Sequence, residues 1–116
     1  MSPIYAADLE AIRSAEKRIE GHAHRTPVFS SSAINAMSGR HLFFKCEQFQ
    51  RVGAFKFRGA MNAITKRMTE DPPSAFVTHS SGNHAQAVAL AAKLHGVPAH
   101  IVMPTNAPDI KRRAVL

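Results

Sequence analysis

Cysteine, acidic residues and long apolar runs are all scarce in this sequence. Cys46 is the one cysteine among 116 residues, which excludes an intramolecular disulfide. No stretch approaches the ~18 consecutive apolar residues of a membrane-spanning helix, and the N-terminus lacks the regions of a secretory signal peptide. We therefore expect a soluble, cytoplasmic protein without a membrane partner, in which Cys46 is a small buried hydrophobe.

The shortage of acidic residues leaves the chain basic, with 15 Lys and Arg against 8 Asp and Glu and a formal net charge of +7. Such a balance suits three kinds of partner: nucleic acid, an anionic membrane surface or anionic small molecules. No helix-turn-helix, zinc-finger or RNP pattern is present. A basic nucleic-acid-binding module is therefore the least favoured alternative, and we expect no nucleic acid partner.

The seven histidines lack the spacing that metal binding needs. His22 and His24, like His79 and His84, do not form a His-x-x-x-His pattern, and no cysteine pairs accompany them. We predict no metal site within this chain. Ser81 lies near two histidines, but a hydrolase is disfavoured because there is no Gly-x-Ser-x-Gly elbow.

Hydrophobic periodicity and helix-end signals predict alternating helices and strands. We predict helices over about 6–19, 30–39, 55–68 and 84–95, strands over 41–46, 75–78 and 99–103, an extended segment at 26–29 and a helix from about 109. The strand-turn-helix order of the second half predicts an α/β fold with a parallel sheet. Because two or three parallel strands make a small sheet and the last helix has barely begun, we expect a fragment of a larger protein.

Lys56 lies in an unusual setting, at the start of a predicted helix within residues 53–60. The helix dipole, the charge of Arg58 and poor solvation between Phe55 and Phe57 would all disfavour the ammonium form. A neutral amine is what Schiff-base formation needs. From these residues alone, a solvated lysine on a basic helix face is the commoner case, and a phosphate- or RNA-contacting patch is a further alternative.

A polar turn, Ser80-Ser81-Gly82-Asn83-His84, follows a predicted strand and opens a helix. Backbone N–H groups at a helix start lack intrahelical partners, so the turn can bind an anion such as a substrate carboxylate. Gly82 permits close approach, and the neighbouring hydroxyl and amide groups add donors. Plain helix capping is the alternative. The position after a parallel strand, where ligands bind in such sheets, favours a site.

These two segments together resemble a known family. Residues 49–60 resemble the cofactor-lysine motif of the serine/threonine dehydratase family, and residues 79–86 resemble its asparagine loop. The similarity continues through residues 24–28, 39–47 and 96–108. The family includes serine racemase, threonine dehydratase and threo-3-hydroxyaspartate dehydratase. The resemblance implies the tryptophan-synthase-β-like fold of pyridoxal-phosphate (PLP) enzymes, fold type II, of which this chain would be the N-terminal part.

The resemblance also implies how the domains divide. Residues 1–73 would be the N-terminal part of the large PLP domain, and residues 74–116 the incomplete start of the small α/β domain. The glycine-rich loop that cradles the PLP phosphate, and the ligands of a divalent cation (Mg or Ca), would lie beyond residue 116. We also expect a homodimer for the full-length protein. Without the phosphate-binding loop, the chain alone would bind PLP weakly and be inactive.

Roles for individual residues follow from the same resemblance. Lys56 would bind PLP covalently and remove the substrate α-proton, and Asn83 would hydrogen-bond the cofactor's ring hydroxyl. The substrate carboxylate would be bound by Ser80, Ser81, Gly82, Asn83 and His84. Ser81 would reprotonate the opposite face, so the site could racemise a hydroxy amino acid as well as remove water and ammonia. Serine, threonine and 3-hydroxyaspartate remain open as substrates, and a truncated, non-catalytic remnant is the alternative.

The racemases of this family also bind ATP between subunits. The matching positions are Ser31, Ser32, Ala33, Arg51, Val52 and Gln86. Arg51 and Val52 depart from the polar pair expected there, which puts ATP activation in doubt.

Overall fold

The computed structural model describes residues 7–116, as a series of helices with two short sheets. The helices are α1 (Leu9–Ile19), α2 (Ser32–Ser38), α3 (Lys56–Glu70), α4 (Asn83–Leu94) and α5 (Asp109–Arg113). The strands are β1 (Val28–Phe29), β2 (Phe44–Lys45), β3 (Phe76–His79) and β4 (Ala99–Val102), and two 3-10 helices, η1 (Glu47–Phe49) and η2 (Arg51–Gly53), precede α3. Within residues 7–116, no helix has the length and apolar character needed to cross a membrane.

The second half of the chain is a parallel β-α-β unit, as predicted. β3 and β4 pair in parallel with Phe76 opposite Ala99 and His79 opposite Val102, and α4 makes the crossover between them. The predicted boundaries after residue 50 agree with the structure to within two residues. Both strands therefore end at the same edge of the sheet, where the polar turn at 80–84 begins.

The first half contains less strand than the sequence predicts. β1 and β2 form an antiparallel pair of two residues each, with Val28 opposite Lys45. The predicted strand over 41–46 is too long, because the Leu42 N–H donates to the side chain of Asn35 at 2.9 Å instead of to a neighbouring strand. This segment is held to α2 by a side chain, a contact that hydrophobic alternation does not reveal.

Helix ends follow the capping signals in the sequence. The Asp8 side chain accepts a hydrogen bond of 2.7 Å from the first turn of α1, whose predicted start near residue 6 lies outside the described residues. Ser31 caps α2, which ends at Gly39 in the left-handed conformation. Gly96, with a φ of +68°, follows the end of α4 as predicted.

The core lies between α3 and α4. Its buried residues are Phe57, Ala60, Met61 and Ile64 of α3 and Ala87, Val88, Ala91 and Ala92 of α4. Small alanines on α4 let the two helices approach closely, so the larger side chains of α3 fill the space between them. Cys46 is buried, as predicted. The core draws on both sides of residue 73, and a domain boundary there stays a prediction.

Candidate active site

Lys56 is the first residue of α3, and its side chain is exposed. The expected enclosure between two phenyl rings is not observed, because Phe57 turns into the core and is fully buried. Successive helical residues are rotated by about 100°, so neighbouring side chains on the first turn face different surroundings. Phe55 flanks the amine, with its ring centroid 5.0 Å from Nζ, within the range of a cation–π contact.

Lys56 lines a cavity of about 460 Å³. The lining residues are Phe55, Lys56, Gly59, Ala60, Ala63, Ile64, Phe76, Val77, Thr78, His84 and Val88. The walls are mainly apolar, with a few polar groups supplied by Lys56, Thr78 and His84. His84 Nε2 lies 3.2 Å from Thr78 Oγ1, within hydrogen-bonding distance. A cavity of this size and composition is typical of small-molecule sites.

The polar turn lies at the carboxyl end of β3. Gly82 is extended and its N–H donates to Ser80 Oγ at 3.2 Å, and α4 begins at the next residue. Among the described residues, no side chain caps α4. The plain-capping alternative is therefore not what the structure contains, and the first amides of α4 keep their capacity to bind an anion. Ser80 and Ser81 line a shallower cavity of about 400 Å³ together with residues 102–104.

The predicted site residues thus lie on two adjoining surfaces. Lys56 and His84 share the 460 Å³ cavity, whereas Ser80 and Ser81 line the 400 Å³ cavity at the sheet edge. Gly82 and Asn83 lie in the turn and at the start of α4. β3 links the two surfaces, since Thr78 lines the first and His79 the second. The catalytic and carboxylate-binding roles of these residues stay predictions.

Glu47 forms a pair with Arg58, two residues after Lys56 in α3, that sequence patterns did not reveal. Arg58 donates from Nε to Glu47 Oε2 at 2.9 Å and from Nη2 to Oε1 at 2.8 Å, a two-point contact. Thr26 Oγ1 donates to the same carboxylate at 2.6 Å. The hydrogen bond from Arg58 is the main cause that lowers the pKa of Glu47 to about 2, although burial opposes it. The same contact raises the pKa of Arg58.

The six predicted nucleotide positions are spread over three helical elements. Ser31 caps α2, and Arg51 Nε donates to the His22 carbonyl at 2.6 Å. Val52 packs against the core, and η2 contacts α4, which carries Gln86. Ser32 and Ala33 form the exposed first turn of α2, which, in the part of the chain described, does not pack extensively on η2 or α4. An ATP site at these positions stays a prediction.

A larger cavity, of about 730 Å³, lies on the side of α1. Its walls carry both signs of charge, including Arg13, Lys17, Glu16 and Glu20. Lys56 and the polar turn do not line it. We place the candidate site in the smaller cavity, because Lys56 and His84 both line it.

Comparison with known proteins shows which family this chain resembles. Residues 19–116 match the family described as pyridoxal-phosphate dependent enzyme. A serine racemase from Oryza sativa subsp. indica is 58% identical over 107 residues, which are 92% of this chain and 32% of that protein. The structure of maize serine racemase has a TM-score of 0.90 and 60% identity, covering 96% of this chain and 34% of that one. The processed form of threonine deaminase isoform 2 from Solanum lycopersicum has a TM-score of 0.78 and 33% identity, covering 97% of this chain and 32% of that one.

The chain therefore spans about a third of the length of the curated relatives that it matches. The matches confirm the resemblance to the serine/threonine dehydratase family and the fold expected from it, the N-terminal part of fold type II. They cover the lysine segment and the polar turn together. The chain belongs to the family of pyridoxal-phosphate dependent enzymes.

Proposed function

We propose that this protein is a PLP-dependent racemase or ammonia-lyase that acts on serine, threonine or 3-hydroxyaspartate. The observation that carries the proposal is the position of Lys56, which lines a 460 Å³ cavity together with His84 of the turn at 80–84. The names of the similar proteins, serine racemase and threonine deaminase, support the reaction type. The aspartate derivative rests on the sequence resemblance alone.

The cavity suits the cofactor in size and chemistry. Apolar walls from Phe55 and Val88 accommodate an aromatic ring, and Lys56 supplies the amine that would hold PLP covalently. Asn83 would hydrogen-bond the ring hydroxyl. When bound, PLP supplies an electron sink that makes the substrate α-carbon acidic.

The remaining chemistry is proton transfer, for which Lys56 and Ser81 are the proposed groups. The amine of Lys56 would take the proton from the substrate α-carbon, and the hydroxyl of Ser81 would return a proton to its opposite face. Inversion of configuration would follow. Departure of the β-hydroxyl as water would instead leave an imine, which takes up water and releases ammonia to give a 2-oxo acid.

The substrate carboxylate would lie at the start of α4. The hydroxyls of Ser80 and Ser81 and the amides of Gly82, Asn83 and His84 are the proposed donors. A helix N-terminus favours negative charge, and no described side chain occupies this one as a cap. A carboxylate held there would lie at the edge of the sheet, beside the cavity of Lys56.

Labelling with the cofactor tests the proposal. We expect that the full-length protein, incubated with PLP and reduced with borohydride, carries a pyridoxyl group on Lys56, seen by peptide mass mapping. Amine and aldehyde condense with loss of water, and the reduction fixes the product as a secondary amine. Lys56→Ala is expected to lose the label. Lys66→Ala, which removes an exposed lysine from the same helix, is the control. A label that survives in Lys56→Ala contradicts the assignment.

Several partners implied by the resemblance belong to this proposal as well. They are a divalent cation bound by residues beyond 116, ATP as an effector, and a homodimer as the assembly. A cytoplasmic location also stays a prediction. A truncated, non-catalytic remnant of such an enzyme stays the alternative.

A further inference from the structure

The start of α3 is held from outside the helix. Phe55 is its N-cap residue and offers no side-chain oxygen, so no side chain caps α3 among the described residues. Most helices fix their first turn with such a cap. In this helix Arg58, two residues after Lys56, reaches out to Glu47. That contact joins the first turn of α3, which begins at Lys56, to the 3-10 helix η1.

The pair is anchored to a third segment of the chain. Thr26, which is buried, donates to Glu47 at 2.6 Å, and Arg58 Nη2 donates to the His24 carbonyl at 3.0 Å. Lys45 Nζ donates to the Thr26 carbonyl at 2.6 Å. The side chains of Arg58 and Glu47 are 31% and 19% exposed, so this is not one of the solvated surface pairs that contribute little.

A buried glutamine makes a second connection to the same segment. The Gln50 side chain accepts from the His24 N–H at 2.9 Å and donates to the His24 carbonyl at 2.8 Å. It also accepts from the Arg51 N–H at 3.0 Å. Residue 24 is therefore bonded to the chain on both sides of Lys56, through Gln50 in the loop before it and through Arg58 in α3.

The backbone between these points is strained. Val52 has a φ of +57°, and Gly53 follows with +66°. Positive φ is disfavoured for a β-branched residue, and such conformations persist where the surroundings enforce them, often at functional sites. The strain lies four residues before Lys56. Strain at Val52, together with the bonds on either side of it, indicates that the backbone enters α3 in a single conformation.

We propose that Glu47, acting through Arg58 and Thr26, is a positioning residue that directs Lys56 into its cavity. The inference rests on the proposed function of Lys56. Glu47 has no part in the chemistry itself. It fixes the first turn of α3 against residues 24–26, so that the amine reaches the cofactor in one geometry. Reactions depend steeply on such geometry, since a displacement of about 1 Å can cost roughly 100-fold in rate.

The rate at which PLP labels Lys56 tests the inference in the full-length protein. Glu47→Gln keeps the shape of the side chain and removes its charge, and we expect labelling to slow by roughly 10- to 100-fold. Glu47→Asp keeps the charge and should recover part of the rate. Asp71→Asn is the matched control, because it breaks an exposed pair with Arg67 at the other end of α3 and should label at the wild-type rate.

The measurement is made where circular dichroism shows each variant to be folded, so that lost stability does not imitate lost positioning. If Glu47→Gln is folded and labels at the wild-type rate, the inference is overturned, and Glu47 is a structural residue only. If wild type is not labelled on Lys56, the proposed function itself fails. Should Glu47→Gln not fold, Thr26→Val removes one bond to the carboxylate, and an unchanged rate in that folded variant overturns the inference.

Discussion

At the scale of single residues, the positive charge of Arg58, two residues after Lys56, is paired with the carboxylate of Glu47. The sequence predicts that Arg58 acts on the amine as a lone cation, yet its guanidinium contacts the carboxylate of Glu47 at two points. The hydrogen bond from Arg58 is the main reason that the pKa of Glu47 falls from 4.5 to about 2. Because the folded-state pKa lies below the usual value, the stabilisation is complete above about pH 4.5. It is lost as the pH falls from there to about 2.

Glu47→Gln should therefore reduce stability in a pH-dependent way. We expect its free energy of unfolding at pH 7 to be lower than that of wild type by about 2 kcal/mol, the usual size for hydrogen bonds to a charged group. The difference should narrow between about pH 4.5 and about pH 2, since only the wild-type side chain titrates. Urea unfolding at several pH values across this range measures it. As a control, Asp71→Asn should lower the free energy of unfolding by less than about 1 kcal/mol. A difference between wild type and Glu47→Gln that stays constant with pH contradicts titration of Glu47 as the cause.

At the scale of secondary-structure elements, α3 serves the core and the site with successive residues. Phe57 is fully buried against α4, whereas Phe55 is 59% exposed and lies beside the amine of Lys56. The packing of α3 on α4 therefore sets the rotation of the helix about its axis. That rotation decides which way Lys56 points.

The two phenylalanines provide a matched pair of substitutions. Phe57→Ala should lower the free energy of unfolding by about 3–5 kcal/mol, because it leaves a cavity in the core. Phe55→Ala should cost less than about 1 kcal/mol, since most of its ring is already in water. Denaturant unfolding of the two variants under the same conditions measures the difference. Equal losses contradict the division between a core ring and a site ring.

Local signals in the sequence were enough for most elements. Gly96 as a helix stop and a serine cap on α2 were both predictable, because each depends on neighbouring residues only. The short β2 and the Glu47–Arg58 pair were not predictable. The short β2 depends on the hydrogen bond between Leu42 and Asn35, and the ion pair depends on η1, which brings Glu47 next to Arg58. Contacts of this kind produce no hydrophobic periodicity in the sequence. The family motifs pointed to Lys56, but they did not show that Phe55 lies beside its amine while Phe57 is buried in the core.

At the scale of the whole molecule, the sheet has one face that no described element covers. Val77 of β3 is 72% exposed and Val102 of β4 is 62% exposed. The alternate residues of the two strands, among them Phe76 and Ile101, pack against the helical core. The relatives are about three times as long as this chain. The lysine and the polar turn both lie in the part of the chain that matches about a third of a relative's length.

The 116-residue chain and the full-length protein should differ in activity. We expect the full-length protein to release a 2-oxo acid from serine, threonine or 3-hydroxyaspartate, or to invert serine, in the presence of PLP. The chain alone should do neither, because the resemblance puts the phosphate-binding loop beyond residue 116. Coupled assays of 2-oxo acids and chiral chromatography of serine measure the two reactions. Turnover by the chain alone contradicts this expectation.

The adjacency of Phe57 and Lys56 has a consequence for protein engineering. Exchange of Phe57 for another large apolar side chain can leave the protein folded, at a cost of roughly 1.5 kcal/mol. The same replacement lets α3 settle at a slightly different rotation, and a reactive amine one residue away moves with it. A screen for folded protein would accept such a variant, and only a kinetic screen would reject it. Under the proposed function, the packing of the core is therefore one of the factors that set the geometry at Lys56.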